Sequence, residues 1–168
     1  MTQIALVAPT IAIVKKTIVP LTDAQIKALP TTPFTLVAAP GANKTLVLIS
    51  AGLRIISTTG YGGLATTAFL GVGYPAANIF SSSLIDDLAS GVADLTSFLD
   101  NSRDRIAIIS PYSDSGFVDL GPRASQIDIS ASENKALSLI MANGGSDLTG
   151  GHAANTLVAT TYYIEVDT

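Results

Sequence analysis

Lys44 and Thr45, at the end of "APGANKT", are the pair with which a phosphate-binding loop closes. Such a loop needs G-x-x-x-x-G-K-[ST] between a strand and a helix N-terminus, where backbone amides and the helix dipole meet the phosphates. Here the two glycine positions hold Ala38 and Asn43, and Thr45-Leu-Val-Leu-Ile49 is a β-branched apolar run with no helix start. Pro40-Gly41 is turn chemistry. The stretch is therefore expected to be a turn joining two strands, with Lys44 exposed and no nucleotide bound.

His152 is the one histidine, and Ser146 and Asp147 stand close to it in sequence. A hydrolytic triad requires nucleophile, base and orienting carboxylate to converge on an oxyanion hole. "NGGSDLTGGHAAN", residues 143 to 155, reads instead as a long glycine-rich loop carrying a polar histidine. Asp86, Asp87, Asp100, Asp104, Asp114 and Asp119 fit no D-x-[DN]-x-[DN]-G calcium loop, and Asp86 and Asp87 are adjacent. "GGSDLTGG" has the flavour of a calcium-binding nonapeptide repeat, but a single copy lacks the stacked neighbour such sites use. The absence of cysteine removes thiolate nucleophiles, disulfides and Cys-ligated zinc. No catalytic residue, metal or cofactor is expected.

The surface chemistry excludes other classes. A net charge of −4, with nine scattered Lys and Arg and one adjacent pair, Lys15-Lys16, does not make the basic face that nucleic acid requires. Tyr162 and Tyr163 alternate to opposite faces of a strand, one into the core and one free for a neighbour. With no Trp and no basic groove, they form neither a base-stacking platform nor an obvious carbohydrate site.

The apolar start, residues 1 to 14, has no cationic region ahead of it, so no cleaved secretory signal is expected. Glycines and Pro75 repeatedly break the uncharged stretch from Ile55 to Leu84, which argues against a membrane span. The chain is expected to be soluble.

The elements that must position these side chains are mostly strands. β-branched runs predict strands over Ile11–Val19, Phe34–Val37, Thr45–Ile49, Ile106–Ile109, Ile127–Ile129 and Thr156–Val166. Turn clusters lie at 39–43, 58–63, 113–116 and 143–147. Thr22-Asp-Ala-Gln25 has capping-box spacing and Pro30 ends that short helix. A second helix is expected over Ser83–Ala89, its extension toward Leu99 opposed by Gly91. Many short strands in 168 residues predict a single all-β sandwich domain spanning residues 1–168. Charged residues are only 13% and hydrophobic residues 48%, so much of the surface is expected to be shared with other subunits.

Two stretches carry a family resemblance. "QIKALPTTPFTLVAAPGANKTLVLISAGLRI" (25 to 55) and "NKALSLIMANGGSDLTGGHAANTLVATTYYIEV" (134 to 166) resemble segments of small virion structural proteins of tailed bacteriophages, of the capsid cement or decoration type. The likeness covers about half the chain and rests on strand-and-turn patterns. It implies a jelly-roll-like β-sandwich with one or two short helices and a homotrimer. It also implies binding to the major capsid protein at the capsid surface, after synthesis in the host cytoplasm. It offers no catalytic residue to carry over. Residues 1 to 14 are expected to act as an interaction arm, with Ile4, Leu6, Val7 and Ile11 bearing the partner contact. The competing readings are a tail or fibre-associated module, a carbohydrate- or host-receptor-binding β-sandwich, and an enzyme dependent on His152.

Overall fold

The computed structural model describes residues 13–65, 68–74, 95–99, 104–109, 133–143 and 146–168. Within them the chain runs β1 (Lys15–Thr22), α1 (Asp23–Ala28), β2 (Phe34–Val37), β3 (Lys44–Ile56), β4 (Tyr61–Gly62), β5 (Phe69–Gly73), α2 (Leu95–Leu99), β6 (Arg105–Ile109), β7 (Leu137–Ala142), β8 (Thr149–Gly150) and β9 (Thr156–Asp167). All strand pairs are antiparallel. The fold is all-β.

Its connectivity follows from nested pairing. β1 pairs with β9, β2 with β7 and β3 with β6, so early strands meet late ones as in one long folded ribbon. The ribbon is then rolled, because β9 also pairs with β3 and β7 with β5. The resulting sheet orders are β1-β9-β3-β6 and β2-β7-β5, with β4-β8 as a small third pair. Nested pairs rolled into two facing sheets make a jelly roll.

The core lies between the two larger sheets. Alternation sends Leu157, Ala159 and Thr161 of β9 inward beside Ala51, Leu53 and Ile55 of β3, opposite Leu137 and Leu139 of β7 and Leu70 and Val72 of β5. β3 begins on the other parity, with Leu46 and Leu48 inward. A bulge between Leu48 and Ser50 pushes Ile49 outward and resets the alternation, so a 13-residue strand keeps one face buried throughout.

The capping box forms as its spacing predicts: Gln25 N–H donates to Thr22 Oγ1 at 3.4 Å and Thr22 N–H to Gln25 Oε1 at 2.9 Å. β1 departs from its expected bounds, running on to Thr22 through Pro20. Proline is tolerated because β1 is an edge strand. β3 likewise continues past Ile49 to Ile56, since it is flanked by β9 and β6 and Gly52 is accommodated in the ladder. β5 arises in a glycine-broken stretch that carried no strand signal. α2 occupies Leu95–Leu99, while the expected helix at 83–89 and the strand at 127–129 lie outside the described residues, as does the turn at 113–116.

Candidate functional site

The phosphate-loop look-alike has its amides already occupied. Gly41 N–H donates to Asn134 Oδ1 at 3.1 Å, and Asn43 N–H donates to Glu133 Oε1 at 2.7 Å. Asn134 N–H returns to the Lys44 carbonyl at 2.8 Å, and Thr168 N–H to the Asn43 carbonyl at 3.0 Å. The amides that could have faced a phosphate are thus held by the chain's own carboxylate and carboxamide. Gly41 has φ +104° and Asn43 φ +57°, the left-handed conformations that glycine and asparagine supply in a tight turn. The segment is a β2–β3 turn, as expected. Lys44 itself is half-buried rather than exposed, because it opens β3 opposite Asp167 of β9.

No triad assembles around His152. Asp147 Oδ1 accepts from Thr31 Oγ1 at 2.6 Å, and His152 Nδ1 accepts from Ala154 N–H at 3.1 Å. The aspartate and the imidazole are each committed to a different neighbour, and His152 is exposed. Residues 148–150 of the glycine-rich segment are tied to the rest of the fold. Thr149 and Gly150 pair with Gly62 and Tyr61, and Leu148 N–H donates to the Lys27 carbonyl at 3.0 Å, satisfying one of the orphan acceptors of α1.

Around that segment lies the densest polar network of the described residues. Tyr61 is fully buried and donates to Asp23 Oδ1 at 3.0 Å, while Asp23 Oδ2 pairs with Lys27 Nζ at 2.7 Å. Burial first, then the Asp23 carboxylate, push the Tyr61 phenol well above its usual range, with the Asn155 amide acting the other way. Two buried asparagines fasten the adjacent loops. Asn155 accepts from Thr58 N–H at 2.8 Å and donates to the Thr59 carbonyl at 2.7 Å. Asn143 accepts from Ala65 N–H at 2.7 Å and donates to the carbonyls of Gly63 and Ser146. The hydrogen bonds of this network all tie one part of the chain to another.

Among the described residues no three His, Cys, Asp or Glu side chains gather as a metal site, and no helix is long and apolar enough to cross a membrane. Asp104 is exposed and lies 3.7 Å from Arg54. Asp86, Asp87, Asp100, Asp114 and Asp119 fall outside the described residues, as do Ile4, Leu6, Val7 and Ile11.

The feature that sequence reasoning missed is a surface. Side chains of the β1-β9-β3-β6 sheet that point away from the core are largely apolar. Ile106 and Ile108 on β6 are 72% and 73% exposed, and Ile18 on β1 is 57% exposed. Ile56, Tyr162 and Val166 are more than one-third exposed on the same side. Lys16 lies over the Tyr162 ring at 5.6 Å, and Tyr163, pointing the other way, packs on the core. The two tyrosines therefore divide between faces as the alternation predicts. The signal for the apolar face was present in "RIAII", where alternate isoleucines are separated by alanine. Which isoleucines face water depends on pairing with β3, and the segment alone does not encode that.

No family model matches the chain, and no curated protein matches it. Among solved structures, a chain of the mud crab tombus-like virus is similar at 12% identity, covering 100% of this chain and 87% of that one, with a TM-score of 0.27. The decameric BFDV capsid protein is similar at 12% identity, covering 97% and 89%, with a TM-score of 0.22. Superposition at that level adds nothing to the architecture, which rests on the strand order above.

Proposed function

We propose that the chain is a non-enzymatic structural protein of a virus particle: a capsid cement or decoration protein of a tailed bacteriophage that binds the major capsid protein and stabilises its shell. The observation that carries this reading is the exposed apolar face of the β1-β9-β3-β6 sheet in a chain with only 13% charged residues. A monomer living alone in water rarely shows so wide an apolar sheet face. The polar groups of the loop end, by contrast, are spent on one another. The proposal also draws on the resemblance of residues 25–55 and 134–166 to virion proteins of that type.

A cement protein works by mass action, binding the assembled lattice and not its loosened form. Symmetry adds avidity, since a homotrimer would engage several weak sites together. Residues 1–14 are proposed as an arm, with Ile4, Leu6, Val7 and Ile11 meeting the shell. The test is addition of the purified protein to capsids stripped of it. Saturable co-sedimentation and a raised capsid melting temperature are the expected results. Deletion of residues 1–14 is expected to lower occupancy, and unchanged occupancy sinks the arm. Absence of capsid binding together with attachment to tails favours the tail or fibre reading. Glycan binding without capsid affinity favours a receptor module, and turnover abolished by His152→Ala would establish an enzyme.

A further inference from the structure

We infer that the outward face of the β1-β9-β3-β6 sheet is a self-complementary interface on which a second copy of this chain packs, face to face and related by two-fold symmetry. The inference deepens the assembly reading above and rests on it for the premise that copies associate.

The relief of the face is the first argument. Cross-strand register places Ile18, Thr160, Gly52 and Ile108 in one row across the four strands. The outer members of that row are the exposed isoleucines, and the inner members are small. A Cβ added at Gly52 would meet nothing within 4 Å. The row is therefore a trough between two apolar ridges, with Ile106 extending the β6 ridge by one pair. A two-fold mate sets its β6 ridge into the opposing trough, and receives the same in return.

Size and charge agree with that occupant. Four strands about 4.8 Å apart, with five residues at about 3.4 Å on β6, span on the order of 330 Å² in projection, which the longer β1, β3 and β9 extend. Side-chain relief raises the accessible area toward the roughly 800 Å² per partner of a standard interface. The two cations of this face are each partnered within the chain. Lys16 lies over Tyr162, and Arg54, which stands on the face between Val158 and Ile106, lies 3.7 Å from Asp104. Both edges of the sheet, β1 and β6, carry exposed isoleucines, which pairing would cover.

Sedimentation equilibrium of the full chain tests this from about 1 to 100 μM, alongside Ile108→Glu and Gly52→Val. The valine fills the trough without adding charge, and Gly52 does not have the left-handed backbone that would strain it. Thermal melts verify that each variant is folded, with Gly52→Val expected to melt no lower than the parent protomer. The expected result is a wild-type species of even copy number, six where the proposed trimers pair through this face, its dissociation constant raised at least tenfold by each substitution. An even-numbered wild type unmoved by both folded variants overturns the inference while leaving self-association intact. A purely trimeric wild type does the same. A wild type that is monomeric throughout overturns the inference and removes self-association with it.

Discussion

The Tyr61 hydroxyl donates to Asp23 Oδ1 at 3.0 Å, which joins β4 to the first turn of α1 through a fully buried ring. Folding raises the pKa of this phenol above the unfolded value of about 10. The neutral form is thus favoured in the folded state. Its contribution is fully present below pH 10 and is lost as pH rises toward the folded pKa. Urea unfolding between pH 9 and 11.5 is expected to show falling stability, with the part due to this residue limited by one proton to about 1.4 kcal/mol per pH unit. Tyr61→Phe removes that part of the slope and lowers stability at pH 7 by about 1 kcal/mol. An unchanged alkaline slope in the variant would show that other tyrosines govern the region.

Gly151 is closed to any side chain by the same pair. Its φ is +71°, and an added Cβ would lie 2.6 Å from Tyr61 Cε1 and closer still to Asp23 Oδ1. Gly151→Ala therefore combines backbone strain with overpacking, for an expected loss of about 3 kcal/mol. Circular dichroism melts supply the measurement. Gly41, also at positive φ but with nothing within 4 Å, is the control, and Gly41→Ala is expected to cost only the conformational part, about 1 kcal/mol.

These contacts mark where sequence reading succeeds and where it stops. The Thr22–Gln25 capping box was legible because its partners are three residues apart. The Pro40-Gly41 turn was legible because turn chemistry is local, and the opposed faces of Tyr162 and Tyr163 follow from strand alternation alone. Glu133 and Asn43 meet across a separation of 90 residues, and nothing in either segment announces the other. β5 was hidden because Gly71 and Gly73 dilute its apolar pattern, although β7 supplies the ladder that holds it. In the sequence the exposed isoleucines of β6 carry only a strand-forming signal. Their outward aspect is fixed by register with β3, a tertiary property. The all-β class and several strands were therefore readable from residue patterns, whereas the rolled order of the sheets and the apolar face were not.

Asn155 and Asn143 make a paired prediction. Each is buried and bridges an N–H and a carbonyl of a neighbouring loop. Truncating Asn155 to alanine leaves the Thr58 amide and the Thr59 carbonyl without that partner, at an expected cost of about 2 kcal/mol. Asn143→Ala is expected to cost a similar amount. Amide hydrogen exchange separates the two: Asn155→Ala releases protection at Thr58, and Asn143→Ala releases it at Ala65. Loss of protection spread evenly over both loops would show that they open as one unit.

Thr161 points the other way energetically. Its side chain faces the core from β9, between Thr17 of β1 and Ala51 of β3, and is 1% exposed. Its hydroxyl has no hydrogen-bond partner among the described residues. A buried unpaired hydroxyl costs about 1–3 kcal/mol relative to one left in water. Valine has nearly the same shape and β-branching, so it fits the strand and the cavity while removing the polar atom. Thr161→Val is therefore expected to stabilise the protein by about 1 kcal/mol, seen as a higher urea midpoint with an unchanged slope against denaturant. Thr161→Ser separates the contributions. It keeps the unpaired hydroxyl and deletes a buried methyl, so it is expected to lower the midpoint by about 1 kcal/mol. A fall in stability for Thr161→Val would mean that the hydroxyl is bonded in solution. The rise is expected because the neighbouring strands already spend their amides on the ladder.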